Sequence, residues 1–465
     1  MVSDERRRAL QVIGGVGITS IAGCLGLGDS TDDNGNTTNS STTSPTLGSL
    51  DVEPYVDSGD KQAGGDWRNT NWVGGTPLTE KPTTAWRNTR RFEFGKIRTG
   101  MTVKNNSVYY SSGNLQLLSV LDTETGELKE THSPALSDPL TPVVHANRVF
   151  LSTGTPWSDP LGAVYLLENG ETGIAWKNFF SFTPDSDAEM TVYRTDIFVP
   201  GINGSIGVFD VTKPILRETI QTGGVEKVIG SPAVNSDLIV VGGGSVAEVY
   251  DKVTKSLLWS VSVENHHAPI VSGSGVIFTS PTGLKVYEIP SVSREKEEVE
   301  FNGTKTNADG EPITPHVLTD ASAPKVKNWE KTVSNEITSI AATNSRIHVT
   351  ISPDSLGGVD TATNTSSSNS SAMQSDGDTI VRTYDTASGD VAWETIVVSS
   401  DIIRSVVHQS VLYVIGSERI TGLNIATGEV IWEYQPPAEP QPPITVTDNK
   451  LIYRMNENEL IAITD

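Results

Sequence analysis

Val411-Leu-Tyr-Val-Ile415 and, shortly after it, Asn424-Ile-Ala-Thr-Gly428-Glu-Val-Ile-Trp432 decide the fold. An apolar run, a polar residue, Ala-Thr-Gly-Glu and a short apolar stretch ending in Trp spell two strands joined by a tight turn. Gly supplies the positive φ that such a turn needs. The phrase returns as Asp385-Thr-Ala-Ser-Gly389-Asp-Val-Ala-Trp393 and as Glu168-Asn-Gly-Glu-Thr-Gly173-Ile-Ala-Trp176. A looser form is Asp251-Lys-Val-Thr-Lys-Ser-Leu-Leu-Trp259. Recurrence of this kind is the mark of a repeat architecture.

The polar residue before the turn serves as a marker, found at Asp122, Glu168, Asp210, Asp251, Glu288, Asp385, Asn424 and Asp465. Ordinary intervals run from 37 residues (Asp251 to Glu288) to 46 (Asp122 to Glu168), the size of one four-stranded propeller blade. The 97 residues from Glu288 to Asp385 hold one unit and two insertions, near 293–324 and 352–378, both expected as surface loops. No stretch after Ala63 sustains a helical period; short apolar runs alternate with Gly, Asn, Asp and Pro. Eight markers therefore predict an all-β, eight-bladed β-propeller of four-stranded antiparallel blades over 63–465. Leu451 to Ile463 ends without a Trp strand, whereas Pro82-Thr-Thr-Ala-Trp86 is a Trp strand with no marker before it. The N-terminal strand is expected to complete the last blade and close the ring, which also removes an exposed edge.

The chain has 465 residues and a formal net charge of -23, from 57 acidic against 34 basic side chains. So negative a surface excludes nucleic acid as a partner, because phosphate contacts need clustered Lys and Arg. It suits a halophile, in whose high salt screening removes most of the self-repulsion. At the N-terminus Arg6, Arg7 and Arg8 precede the apolar run Val12 to Leu27, which is too short to span a bilayer dependably, and Ile21-Ala-Gly-Cys24 follows within it. Residues 1–23 resemble a twin-arginine export signal of haloarchaeal type ending in a lipobox. The resemblance implies cleavage before Cys24, a lipid on its thiol and a place on the outer face of the cytoplasmic membrane; the alternative is a short buried helix with an incidental cysteine. Residues 24–62 are rich in Ser, Thr, Asn and Asp and read as a disordered tether. Cys24 is the only cysteine, so no intramolecular disulfide is possible.

The repeats resemble the β-propeller family that carries the pyrroloquinoline-quinone (PQQ) motif, through Val108-Tyr-Tyr110, Gly113, Leu115, Asp122, Thr125 and Gly126. Gly64-Gly-Asp-Trp67-Arg-Asn-Thr-Asn-Trp72 also resembles the stretch before the first blade in such proteins. The resemblance spans nearly all of the chain after the tether and speaks for fold, not for function. In architecture the chain is similar to the propeller lipoproteins of the bacterial outer-membrane β-barrel assembly machinery, which implies protein binding or scaffolding without catalysis. Trp86, Trp176, Trp259, Trp393 and Trp432, joined by Trp329, are expected to dock between blades; stacking on a sugar or quinone is the alternative. Gly126, Gly173, Gly389 and Gly428 are expected to form the turns beside them.

Quinone-dependent dehydrogenases of this family use a catalytic Asp, a calcium ion and a disulfide between adjacent cysteines. The disulfide is impossible here and no stretch reproduces the other motifs, so no catalytic, cofactor or metal residue is carried over. His266-His267 is the one histidine pair with metal-ligand potential, if another blade adds a third donor. The expected function is a monomeric, non-catalytic protein-binding or scaffolding module for another membrane or secreted protein, with assembly or quality control of cell-surface proteins as its setting. A PQQ-dependent oxidoreductase with calcium, or a solute- or glycan-binding surface protein, are the alternatives. The two insertions are the expected docking surface.

Overall fold

Among the described residues strands pair with their sequence neighbours, one inserted ribbon aside, except at two places, and those two places shut the ring. A computed structural model describes residues 72–89, 100–104, 106–112, 117–132, 141–145, 148–152, 161–166, 172–178, 189–212, 215–273, 275–298, 316–333, 335–352, 378–398, 401–456 and 459–465. All of them belong to the compact unit Val52–Asp465. Arg6, Arg7, Arg8, Cys24 and the tether lie outside the described residues, and so do Gly113 and Leu115.

Eight sheets, labelled I to VIII in chain order, follow one another along the chain. Their inner strands are Met101–Lys104, Val143–His145, Thr191–Tyr193, Ala233–Val234, Ile270–Ser272, Ile337–Ala342, Ile402–His408 and Gln441–Val446. Each antiparallel meander then steps outward. Second strands such as Leu238–Gly243 and Val411–Gly416 are buried at every residue. Both faces of each sheet meet a neighbouring sheet, so these strands read as unbroken apolar runs. The outer strand Val391–Val398 instead alternates, with Trp393 and Val397 buried between exposed residues.

The apolar core is divided among eight clusters, each straddling two successive sheets. One joins sheets I and II through Leu118 and Leu151. Another joins VIII to I through Trp86, Leu460 and Val108. The series runs I–II, II–III and onward to VIII–I, which closes the ring. Closure by both termini appears as expected: Thr83–Asn88 pairs antiparallel with Glu459–Thr464 and forms the outer strand of sheet VIII.

Two expectations need correction. Seven sheets, not eight, are four-stranded antiparallel blades, because sheet VII has five strands. Trp72–Val73 adds to it in parallel, Trp72 opposite Val407 and Val73 opposite His408. That edge of Ile402–His408 faces the axis, since the other edge already carries Val411–Gly416. From Trp72–Val73 on that edge the chain passes between sheets VII and VIII, burying Leu78 in their shared core, before reaching the outer strand at Thr83. Residue spacing revealed nothing of this, because two residues carry no periodicity.

The first insertion is likewise not a plain loop. Ser293–Glu298 and His316–Ser322 pair as a two-stranded ribbon. It grows out of a turn in sheet V: Glu288 N–H donates to Val326 O, the bond that closes the shorter turns from Asp122 N–H to Glu127 O and from Asp385 N–H to Asp390 O. Residues 353–377 of the second insertion lie outside the described residues.

Candidate functional site

Two kinds of site emerge from this frame: the repeated turns that join sheet to sheet, and the mouth of the central axis.

At the turns, the marker carboxylate caps the chain. Asp122 Oδ1 accepts from Glu124 and Thr125 N–H, Asp251 Oδ1 from Val253 and Thr254 N–H, and Asp385 Oδ1 from Ala387 and Ser388 N–H. The Trp of the preceding sheet lies over that turn. Trp86 Nε1 donates to Thr123 O at 2.8 Å, Trp329 Nε1 to Thr386 O at 2.9 Å, and Trp393 Nε1 to Ile425 O at 2.9 Å. Beneath the rings lie Gly126, Gly389 and Gly428, all at φ between 70° and 77°. A Cβ on Gly428 would stand 2.5 Å from Trp393.

Trp432 meets a turn assembled from residues 78–80 and Asp465. Its Nε1 donates to Leu78 O at 2.8 Å, while Thr79 and Glu80 N–H donate to the carboxylate of Asp465. Trp259 differs, because its Nε1 is buried without a hydrogen-bond partner. The turn it faces is the one opened by the ribbon, and it packs on Tyr287 at 5.4 Å between ring centroids. Trp176 and Gly173 lie in the outer strand Thr172–Asn178 of sheet II, where only the backbone is described. The indoles of Trp86, Trp329, Trp393 and Trp432 are thus buried between sheets.

Elsewhere, His266 Nε2 stands 3.2 Å from Glu336 Oε1, and His267 Nε2 lies 3.0 Å from Ile337 O, joining sheet V to sheet VI. Burial holds the His267 imidazole below its ordinary value. Although Glu336 comes close to His266, no group of three or more His, Cys, Asp or Glu side chains placed to hold a metal ion occurs among the described residues. Gly242 and Gly243 end the strand Leu238–Gly243, and Gly244 turns at φ +54°. The amides of Gly223 and Gly224 do cradle an anion, and the chain supplies it: the buried Glu248 carboxylate.

The mouth of the axis is seen only in three dimensions. Each inner strand ends in a hairpin, closed for example by Lys104 opposite Ser107 or Ser272 opposite Gly275. Four residues before the closing residue, six sheets carry small side chains: Gly100, Thr141, Ser231, Ala268, Ser339 and Pro443. Sheet III carries Glu189 there and sheet VII Arg404, four sheets apart in either direction. Contacts run round this level from sheet to sheet. Gly100 N–H donates to Thr141 Oγ1 at 2.9 Å, Thr141 Oγ1 to Glu189 Oε1 at 2.6 Å, and Glu189 N–H to Gly230 O at 3.2 Å. Ser339 Oγ and Ser405 Oγ share a hydrogen bond at 2.8 Å, and Arg404 Nη1 donates to Ile444 O at 3.2 Å.

The two charges feel each other. Burial pushes the Glu189 carboxyl above the usual carboxylate range, against the pull of the Thr141 hydroxyl and of Arg404. Burial also lowers the Arg404 guanidinium, and the Glu189 charge opposes that. Sequence reasoning passed over this pair because 215 residues separate its members. The usable signal is a charged residue where the other repeats place a small one.

A quinone with calcium does not fit this mouth. One carboxylate and one guanidinium are not a calcium donor set, which calls for six to eight oxygens, and the single cysteine cannot make the disulfide.

Residues 377–465 match the family model described as outer membrane protein assembly factor BamB. They comprise the last two strands of sheet VI, the four antiparallel strands of sheet VII and the three C-terminal strands of sheet VIII. No curated protein matches the chain. Among solved structures it is similar to the computationally designed Ika8 protein, with 12% identity, 82% of this chain and 100% of that chain covered, and TM-score 0.54. It is also similar to quinohemoprotein alcohol dehydrogenases from Pseudomonas putida (10% identity, 88% and 80% covered, TM-score 0.55) and Comamonas testosteroni (11%, 87% and 80%, 0.55). Identities this low speak for the fold alone.

Proposed function

We propose that this propeller, whose last repeats match an assembly-factor family model, is a non-catalytic binding module that holds another membrane or secreted protein during assembly or quality control at the cell surface. The match over 377–465 carries this reading. Arg6, Arg7, Arg8 and Cys24 support export and a lipid anchor outside the cytoplasmic membrane, with 24–62 as the spacer and the module acting as a monomer. Trp72–Val73 reaches the axis beside Val407 and His408, the hairpin end of the inner strand. Glu189 and Arg404 lie toward the other end of their inner strands. We count sheet VII, with its added strand, as the eighth blade.

Crosslinking in intact membranes at native salt, followed by affinity capture and mass spectrometry, tests the reading. A stoichiometric membrane or secreted protein, recovered reproducibly, is the expected result; recovery of the propeller alone counts against a scaffold. Reconstitution with PQQ and calcium, followed by dye reduction with alcohols, tests the enzymatic alternative, and turnover there would replace the binding reading.

A further inference from the structure

We propose that Asn203, in the triplet Asn203-Gly204-Ser205, is an acceptor for N-linked oligosaccharide, so that the propeller carries sugar on a hairpin tip of sheet III. The inference rests on the exported placement proposed above, because the donor it needs is an oligosaccharide held on a membrane lipid phosphate.

The triplet supplies the first observation. Asn followed two residues later by Ser or Thr, with any residue but Pro between them, is the pattern that oligosaccharide transfer reads. Among the described residues this is the one complete triplet of the kind. Packing fixes its middle residue as glycine: Gly204 is buried at φ +72°, and a Cβ on it would lie 1.6 Å from Val225 O.

Geometry supplies the second. The second and third strands of sheet III, Asp196–Pro200 and Ile206–Asp210, are joined by a tight hairpin, which Gly201 N–H closes on Ser205 O at 2.7 Å. Asn203 stands at its tip, at φ 65° and ψ 26°, exposed beside an Ile202 that is 46% exposed. The inner side of the hairpin is held by Gly204 against the Val225 carbonyl, which also receives the Thr222 hydroxyl at 2.7 Å. The Asn203 amide itself makes no hydrogen bond among the described residues. A bulky, hydrophilic adduct needs open surface, and this tip offers it with no strand pairing to break.

A positive φ alone does not call for this triplet. Gly244 turns the corresponding hairpin of sheet IV at φ +54°, and glycine adopts such a backbone without steric cost. Sheet III instead places an amide at the tip and a hydroxyl two residues on. Ser205 Oγ reaches only Ile202 O, at 3.3 Å, which is long for an O–H···O bond. That hydroxyl can therefore turn from the carbonyl to the groups that hold the Asn amide during transfer.

The transfer is a substitution at the anomeric carbon of the donor sugar. The Asn203 amide nitrogen forms the new bond to that carbon, while the bond from the carbon to phosphate oxygen breaks. The lipid phosphate leaves with the electron pair, and one amide proton passes to a base of the transferase.

The test uses the full-length protein isolated from its own cells, with mass spectrometry of the peptides that contain Asn203 and Cys24 as the readouts. The Asn203 peptide is expected to be heavier by a series of sugar-sized steps. Those steps are expected to be lost in Asn203→Gly and in Ser205→Ala and kept in Ser205→Thr. Asn203→Gly suits the positive φ and Ser205→Thr retains the hydroxyl, so both variants are expected to keep the hairpin. A bare Asn203 on protein whose Cys24 carries lipid would overturn the proposal and leave the export reading standing. A bare Asn203 on protein with an uncleaved N-terminus would overturn both. Sugar retained in Ser205→Ala would also overturn the proposal, because attachment would then not depend on the triplet.

Discussion

Trp393 and Trp259 hold the same place in their repeats and differ by one hydrogen bond. Trp393 donates to Ile425 O, whereas the Trp259 indole N–H is buried without a partner. Replacement by Phe keeps most of the apolar area in both cases. Trp393→Phe also strands a carbonyl, so it is expected to cost about 1 kcal/mol more than Trp259→Phe. Denaturant titrations at fixed salt compare the two, and equal losses would show that the indole bond contributes nothing net. The glycines offer a second comparison. Gly428 and Gly244 both sit at positive φ, but an added Cβ meets Trp393 at 2.5 Å in the first and nothing within 4 Å in the second. Gly244→Ala should therefore lose only the backbone penalty, about 1 kcal/mol. Gly428→Ala should lose clearly more, because the indole must also shift; the order of their unfolding midpoints decides. The sequence marked Gly428 and Trp393 as partners of one motif. It did not mark Trp259 as an odd member, because the missing acceptor follows from an insertion in a different sheet.

Among elements, the ribbon of Ser293–Glu298 and His316–Ser322 has a structural duty that its polar composition hides. Arg294 Nη2 stands 2.7 Å from Asp251 Oδ2, whose side chain has 0% exposure. In sheets I, III and VI the marker carboxylate meets a cation from its own sheet: Lys129 for Asp122, Arg217 for Asp210 and Arg346 for Asp385. Sheet IV receives its cation from the ribbon of sheet V. Arg294→Gln leaves that buried carboxylate without its counter-charge and is expected to cost about 3 kcal/mol near neutral pH. Burial alone would raise the Asp251 carboxyl, but the Thr254 amide and hydroxyl together with Arg294 outweigh it and hold it below the usual range. A lowered folded-state value stabilises above the unfolded carboxylate value of about 4 and is lost as pH falls through the folded value. The gap between wild type and Arg294→Gln should therefore narrow as pH drops below about 4. A gap constant with pH would assign the loss to packing. The second insertion contrasts with the first. Ile351 lies opposite Ile380 in sheet VI, so the ends of 353–377 are strand neighbours that a short turn can join. Replacing 353–377 by such a turn should leave Tm nearly unchanged, and a large drop would show that the insertion packs on the body.

At the scale of the whole molecule, stability depends on ring closure, and Leu78 sits at the seam where the segment leading to the Trp86 strand meets the last two sheets. It is 1% exposed in the core shared by sheets VII and VIII, its N–H donates to Tyr413 Oη, and its carbonyl receives Trp432. Leu78→Ala should cost about 3 kcal/mol by leaving a cavity at the seam. An Ala at exposed Thr79 is the control, compared by calorimetry; similar losses for the two would mean that the seam is plastic. The architecture was legible because a blade is a local object. Its four strands lie within about 40 residues, and its Trp, its turn glycine and its capping carboxylate recur at fixed offsets, so Asn424 to Trp432 already contains the unit. Pairing of the Trp86 strand with the last blade was legible too, since each end of the chain lacked what the other carried. Three features depended on tertiary structure. Trp72–Val73 on the axial edge of sheet VII is too short to have a pattern. The Arg294–Asp251 contact joins neighbouring sheets through a ribbon whose fold-back direction no spacing encodes. Glu189 and Arg404 come to the same level of the ring, in sheets III and VII, only once all the sheets have closed round the axis. Periodicity within the chain determines the repeat, because hydrophobic burial and turn geometry act over short sequence distances. The residues that meet at the mouth and the seam are settled by ring closure, which brings distant segments together.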